Sequence, residues 1–280
     1  MIAAKVLLAV LLIVQPAFAD STNRVDDLLT RARNAYNIGK KDEALTLATQ
    51  ATKDAPKDTR GWLIRARLHE ANQQLTNTVA DYDQVLQLDP RSASAWQQRG
   101  EAHFKLGHIK ESLADFDKFL ELVPQQKPQH WQRGISLYYA GKFSEGRNQF
   151  ELHQTVNPND VENAVWHFLC VARESNVERA RAALIPIKGD TRVPMKEIHS
   201  LFAGKLKPKD VLKAAGNEQL SAARKENLFY AHLYLGLYFE AIGDAKTSAG
   251  HIKQAVQDYA VGGYMGDVAR VHAQLRSAKK

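Results

Sequence analysis

The chain's one thiol, Cys170, stands three residues after His167, a spacing that places both on one helical face. In an open setting such a pair joins a nucleophile to a base. Val165 to Ala172, however, is almost wholly apolar, and burial raises a thiol's pKa and makes it inert. The ten histidines are scattered. His103 and His108 lack both the i, i+4 spacing and the third ligand of a metal site. No H-E-x-x-H, C-x-x-C or G-x-S-x-G motif occurs. No catalytic residue, metal site or cofactor is expected.

Charge offers two further candidates. Arg31, Arg65, Arg99 and Arg133 recur at a fixed interval of thirty-four positions, and Asp81 and Asp115 follow two of them by sixteen. Two readings fit: arginines pairing with carboxylates between helices, which half-buried guanidinium groups normally require, or a basic stripe that holds acidic peptide ends. Residues 188–213 carry seven basic against three acidic side chains, among them Lys188, Arg192 and Lys205. That stretch reads as a solvated face, or as a surface for anionic polymer or membrane. It lacks the interleaved aromatics of base stacking, so nucleic acid is not expected.

Something must space these residues so regularly. Pro56, Pro90, Pro124 and Pro158 fall at the same interval, each closing a segment of helical apolar periodicity. In the same register a tryptophan opens the repeat at Trp62 and Trp96, and at Trp131 shifted by one. A small residue follows at Ala32, Ala66, Gly100 and Gly134, where close helix packing needs it. Gly39, Gly107 and Gly141 mark a turn, and Tyr82, Phe116 and Phe150 supply an aromatic knob on the second helix, with Ala48 in the first repeat. This pattern resembles the tetratricopeptide repeat family.

The resemblance implies an all-α fold, a right-handed tetratricopeptide superhelix, or α-solenoid, of about six to seven helix-turn-helix repeats with a C-terminal capping helix. Repeats are expected near 25–58, 59–92, 93–126 and 127–160, with degenerate ones at 161–194 and 195–228, another at 229–262, and a cap over 264–280. Within the degenerate part, helices are expected near 161–173, 177–185, 195–204 and 208–215, followed by an added segment near 218–227. Residues 20–280 then make one solenoid.

Met1 to Ala19 reads as a cleavable export signal. Lys5 is the positive start, Val6 to Val14 the short apolar run, and Ala17-Phe18-Ala19 the cleavage site. The run is too short to span a bilayer comfortably, so no membrane span is expected. Periplasm, or secretion beyond it, is the expected destination. The whole chain of 280 residues carries a net charge of +7, and one cysteine excludes an intramolecular disulfide.

In the tetratricopeptide family the groove is lined chiefly by the first helix of each repeat. Carried over residue by residue, the expected partner-binding positions are Arg33, Tyr36, Arg67, Gln97, Glu101, Phe104, Trp131 and Tyr138, with Leu63 and Glu70 beside them. Arginine and aromatic rings dominate binding hot spots; for Trp131 and Tyr138, ordinary repeat packing is the other reading. The stretch Asn227 to Tyr238, with Gly243-Asp244 after it, is similar to the end of NlpI-type bacterial lipoproteins, which are periplasm-facing adaptors. The lipid-bearing cysteine of those proteins is missing. The expected function is an exported scaffold or adaptor that binds a protein or peptide in bacterial envelope complexes. The alternative is a structural envelope protein that self-associates as a homo-oligomer or binds anionic wall polymer.

Overall fold

A computed structural model of the chain describes residues 17–217 and 221–277. Most of the expected export segment lies outside the described residues, as do positions 218–220 of the added segment. The described residues form fifteen α-helices and one 3₁₀ turn, with no strand, and successive helices pack in pairs. By contacts the chain divides into two compact units, one ending at Pro90 and one beginning at Arg91.

The first unit holds α1 (Ala17–Asn37), α2 (Lys41–Asp54), α3 (Thr59–Ala71) and α4 (Leu75–Leu88). Burial in α1 begins at Val25 and continues through Leu28, Leu29, Ala32 and Ala35, an i, i+3, i+4 stripe that meets Ala44, Ala48 and Ala51 of α2. The prolines act as punctuation. Pro56 follows the C-cap of α2, Ala55, and Pro90 follows that of α4, Asp89, where a residue without an amide hydrogen cannot continue the helix. Trp62 opens the next first helix and donates its indole N–H to the Pro56 carbonyl at 3.0 Å. The turn between α1 and α2 uses Gly39 at φ 80°, and Gln73 occupies the equivalent left-handed position between α3 and α4 at φ 58°.

The second unit contains α5 (Ala93–Lys105), α6 (Ile109–Leu122), a 3₁₀ turn (Pro124–Gln129), α7 (Trp131–Tyr139), α8 (Phe143–Gln154), α9 (Val161–Glu174) and α10 (Val177–Ala182). It continues through α11 (Met195–Phe202), α12 (Pro208–Gly216), α13 (Ser221–Ala241), α14 (Ala245–Gln257) and α15 (Gly263–Ser277). Its pairs interlock through the small residue and the knob sixteen positions later. A Cβ at Gly100 would stand 2.8 Å from the Phe116 ring, one at Gly134 2.6 Å from Phe150, and one at Gly236 2.5 Å from Ile252. Each glycine therefore sets how closely its helix approaches the next.

Two features depart from a plain reading of the period. Residues 221–227 of the added segment are the beginning of α13, so a single 21-residue helix runs through the expected repeat start at Phe229. Nothing in Ser221 to Asn227 breaks a helix, since neither glycine nor proline occurs there. The last helix, expected to shield the terminal apolar edge, packs on α14 and also turns back to α5.

Candidate functional site

The arginine ladder is spent on packing. Arg65 grips Asp81 through Nε and Nη2 at 2.9 and 2.6 Å, and Arg99 holds Asp115 in the same way at 2.8 and 2.7 Å. Both aspartates are buried. Each guanidinium lies 4.7 Å from the ring of the tryptophan one turn earlier, Trp62 or Trp96. A bidentate pair stacked on an indole joins the two helices of a repeat and leaves little charge for a ligand. Repeat four has Gln149 at the aspartate position; Arg133 donates to it at 3.4 Å and pairs more closely with Asp117 at 2.6 Å. In the first repeat, among the described residues, Arg31 reaches only the exposed Asp27.

A second pair of arginines behaves differently. Arg33 on α1 and Arg67 on α3 stand one repeat apart and are exposed; among the described residues neither forms an ion pair or hydrogen bond. Tyr36, one turn beyond Arg33, is 40% exposed. The first unit therefore presents two unspent guanidinium groups and an open phenol ring.

In the second unit the expected groove positions are engaged. Gln97 donates to Glu101 at 2.9 Å and to Gln132 at 2.8 Å, while Gln132 donates to Glu101 at 3.0 Å. Burial holds His130 down at about 4, so the ring is neutral. Its Nδ1 accepts from the Arg133 amide, which leaves Nε2–H to donate to Gln97 at 2.8 Å. Phe104 and Tyr138 do not face open space. Tyr264 of α15 stacks on Phe104 at 5.2 Å and meets Trp131 edge-on at 5.0 Å; Trp166 closes over Tyr138 at 5.4 Å. Trp131 stays half-buried, a wall of a cavity of about 220 Å³ that it shares with Ile135, Glu162, Trp166 and Met265.

Further along, α15 is pinned by polar contacts. His272 is buried, and burial above all lowers it to about 4 although Glu240 pulls the other way. As a neutral ring it accepts from the Tyr139 hydroxyl at Nδ1, 3.1 Å, and its Nε2 lies 3.2 Å from the Glu240 carboxylate. Arg276 reaches the other Glu240 oxygen at 2.7 Å, where Arg173 also arrives at 3.3 Å. Gln274 donates to the Leu106 carbonyl at the end of α5. Sequence reading missed these residues; the available signal was the i, i+4, i+8 series Tyr264, Val268, His272.

Cys170 is fully buried, which pushes its thiol up, and His167 turns to Glu151 at 3.3 Å. His103 and His108 approach at 3.4 Å, and no cluster of three potential metal ligands exists among the described residues. In the basic stretch Arg192 is consumed by Asp160, Glu162 and Asp190, while Lys188 and Lys205 remain exposed. No described helix is long and apolar enough to cross a membrane.

Two parts of the chain match the family description "Tetratricopeptide repeat", residues 64–133 and residues 29–77. Among solved structures, a tetratricopeptide repeat protein from Parabacteroides merdae is similar at 14% identity and a TM-score of 0.58, over 91% of this chain and 99% of that one. MamA from Desulfovibrio magneticus, from its residue 41 onward, is similar at 14% identity and a TM-score of 0.52, over 57% of this chain and 90% of that one. A further MamA structure gives 12% identity and 0.53, over 72% and 98%. No curated protein sequence matches. At these identities the structural likenesses concern the fold.

Proposed function

We propose that this chain, which belongs to the tetratricopeptide repeat family, is an exported scaffold that binds a protein or extended peptide through the first helices of its repeats. Members of the family are generally scaffolds without catalysis of their own, and a fold of stacked helix pairs offers long faces rather than a deep reactive cleft. One observation carries the reading: Arg33 and Arg67 sit at the same position of successive repeats, exposed and, among the described residues, unpaired, with the open ring of Tyr36 one turn beyond Arg33. The neighbouring ladder shows what arginines do here when they serve packing. These two do not, and together they suit a segment bearing carboxylates. The charged start, apolar run and A-x-A site within Met1 to Ala19 support export, and with it a place in bacterial envelope complexes. Removal of those residues leaves every buried residue of α1 from Val25 onward intact.

A photo-crosslinking amino acid at Tyr36 of the exported protein tests the reading. A discrete adduct from the envelope fraction is expected, lost when Arg33→Glu and Arg67→Glu are combined. An adduct that survives both reversals, or no adduct, overturns the assignment of this face. A reporter enzyme that is active only outside the cytoplasm, fused after Asp20, tests export; an inactive fusion refutes it.

A further inference from the structure

We propose that the face of α5 and α7 in the second unit is a helix-accepting surface, held closed by the chain's own α15, and that its partner is an amphipathic helix with an aromatic anchor. The inference rests on the reading of the chain as a partner-binding scaffold, but it uses none of the residues of the first unit.

The positions that family resemblance assigns to the groove, Phe104 and Trp131, are the ones that receive Tyr264. The occupant is a 15-residue helix, and its contacts have the form of a bound ligand. One aromatic ring is seated between two rings of the host. Two turns later His272 satisfies the Tyr139 hydroxyl, and near the end Gln274 caps the Leu106 carbonyl of α5. Met265 roofs the cavity beside Trp131. Other helices of the chain pack on elements a few places earlier, as α13 does on α12, α11 and α9. This one adds contacts to elements far earlier in the chain, with a separation of 133 for Tyr139–His272.

The surface thus specifies its ligand. It takes a helix carrying Tyr, Phe or Trp at one position and a neutral hydrogen-bonding side chain eight residues later. An acidic extended peptide has no counterpart here, because Glu101 stands one turn before Phe104 on α5. Because α15 is tethered, it competes at an effective concentration in the millimolar range. An outside helix therefore binds only where the latch formed by His272, Arg276 and Glu240 is weakened or outbid.

The test uses the full chain and a fluorescein-labelled synthetic peptide with the sequence of Gly263–Ser277. Fluorescence anisotropy compares the unaltered protein with the Tyr264→Ala/His272→Ala variant, in which the seat is intact and its occupant is weakened. The labelled peptide is expected to bind the variant at least tenfold more tightly. A peptide carrying the same tyrosine-to-alanine change is expected to lose at least tenfold on that variant. Equal affinity for both proteins, no binding to either, or equal binding of the altered peptide overturns the proposal. If circular dichroism shows the double variant unfolded, Arg276→Ala, which removes a half-buried contact to Glu240, takes its place with the same comparisons. Loss of the Tyr36 adduct leaves this outcome unaffected, so the two readings fail separately.

Discussion

Replacing Gly134 by alanine measures how tightly the repeats are interlocked. The added Cβ would lie 2.6, 2.8 and 3.1 Å from three atoms of the Phe150 ring, which is 1% exposed and must give way toward the cavity it lines beside Trp131. Overpacking of this kind costs about 1–3 kcal/mol, against which the helix gains about 1 kcal/mol from losing a glycine. A net loss of up to about 2 kcal/mol follows. Phe150→Leu alone leaves a void and costs about 1–3 kcal/mol from the lost ring carbons and the cavity. In the double variant the new methyl group occupies part of that void, so the combined loss should fall short of the sum by about 1–2 kcal/mol. Gly250 on α14 is the control: nothing lies within 4 Å of the place its methyl group would take, and Gly250→Ala should stabilise by up to about 1 kcal/mol. Urea titrations followed by far-ultraviolet circular dichroism give each value from the midpoint. Additivity within about 0.5 kcal/mol, the behaviour of independent sites, or a Gly250→Ala variant as unstable as Gly134→Ala, would refute the idea that this glycine is set by the knob sixteen residues later.

Two further outcomes follow from the same geometry. Asp81→Ala strands the mostly buried Arg65 guanidinium and should cost about 3–5 kcal/mol, whereas Arg31→Ala, which loses only the exposed contact to Asp27, should cost less than about 1 kcal/mol; thermal unfolding of the two variants checks the contrast. Acidification should destabilise the chain between pH 6.5 and 4. Burial lowers both His130 and His272 from 6.5 to about 4, so in that window the unfolded chain binds protons that the folded chain refuses. Stability is therefore full above pH 6.5 and declines as pH falls towards 4, by on the order of 2–3 kcal/mol per buried ring. Urea midpoints at pH 7 and pH 5 should differ in that direction, and His272→Gln should flatten the dependence; a pH-independent midpoint contradicts the assignment of neutral rings.

The fold was legible because its information is local. The repeat interval, the small residue and the knob sixteen positions later each report a contact between adjacent helices, and such contacts need no knowledge of distant chain. The helices expected near 161–173, 177–185, 195–204 and 208–215 stand at Val161–Glu174, Val177–Ala182, Met195–Phe202 and Pro208–Gly216 for the same reason: turn residues and apolar spacing mark them locally. The site was harder to read. Position within a repeat identifies the face a residue occupies, and Phe104 and Trp131 do share one, but it is silent on what lies against that face. The destination of α15 depends on Tyr264, whose partners Phe104 and Trp131 stand several repeats earlier and leave no trace in local periodicity. The arginine ladder shows the reverse case. Its alternative readings were separated only by distance, since an arginine at Arg65 and one at Arg67 are chemically the same until Asp81 is seen at 2.6 Å from the former.

The long reach of α15 orders events in time. The Arg65–Asp81 pair closes a loop of 16 residues and the Gln97–Gln132 contact one of 35, but Gln274 meets Leu106 across 168. Closing that span from an unfolded chain costs about 2 kcal/mol more chain entropy than closing the shortest of these loops. The cost shrinks once the intervening helices have condensed and shortened the path. Repeats therefore zip up first, each on its neighbour, and the last helix arrives on a finished surface, which makes its seat the final contact to form and the first to be released on the way out.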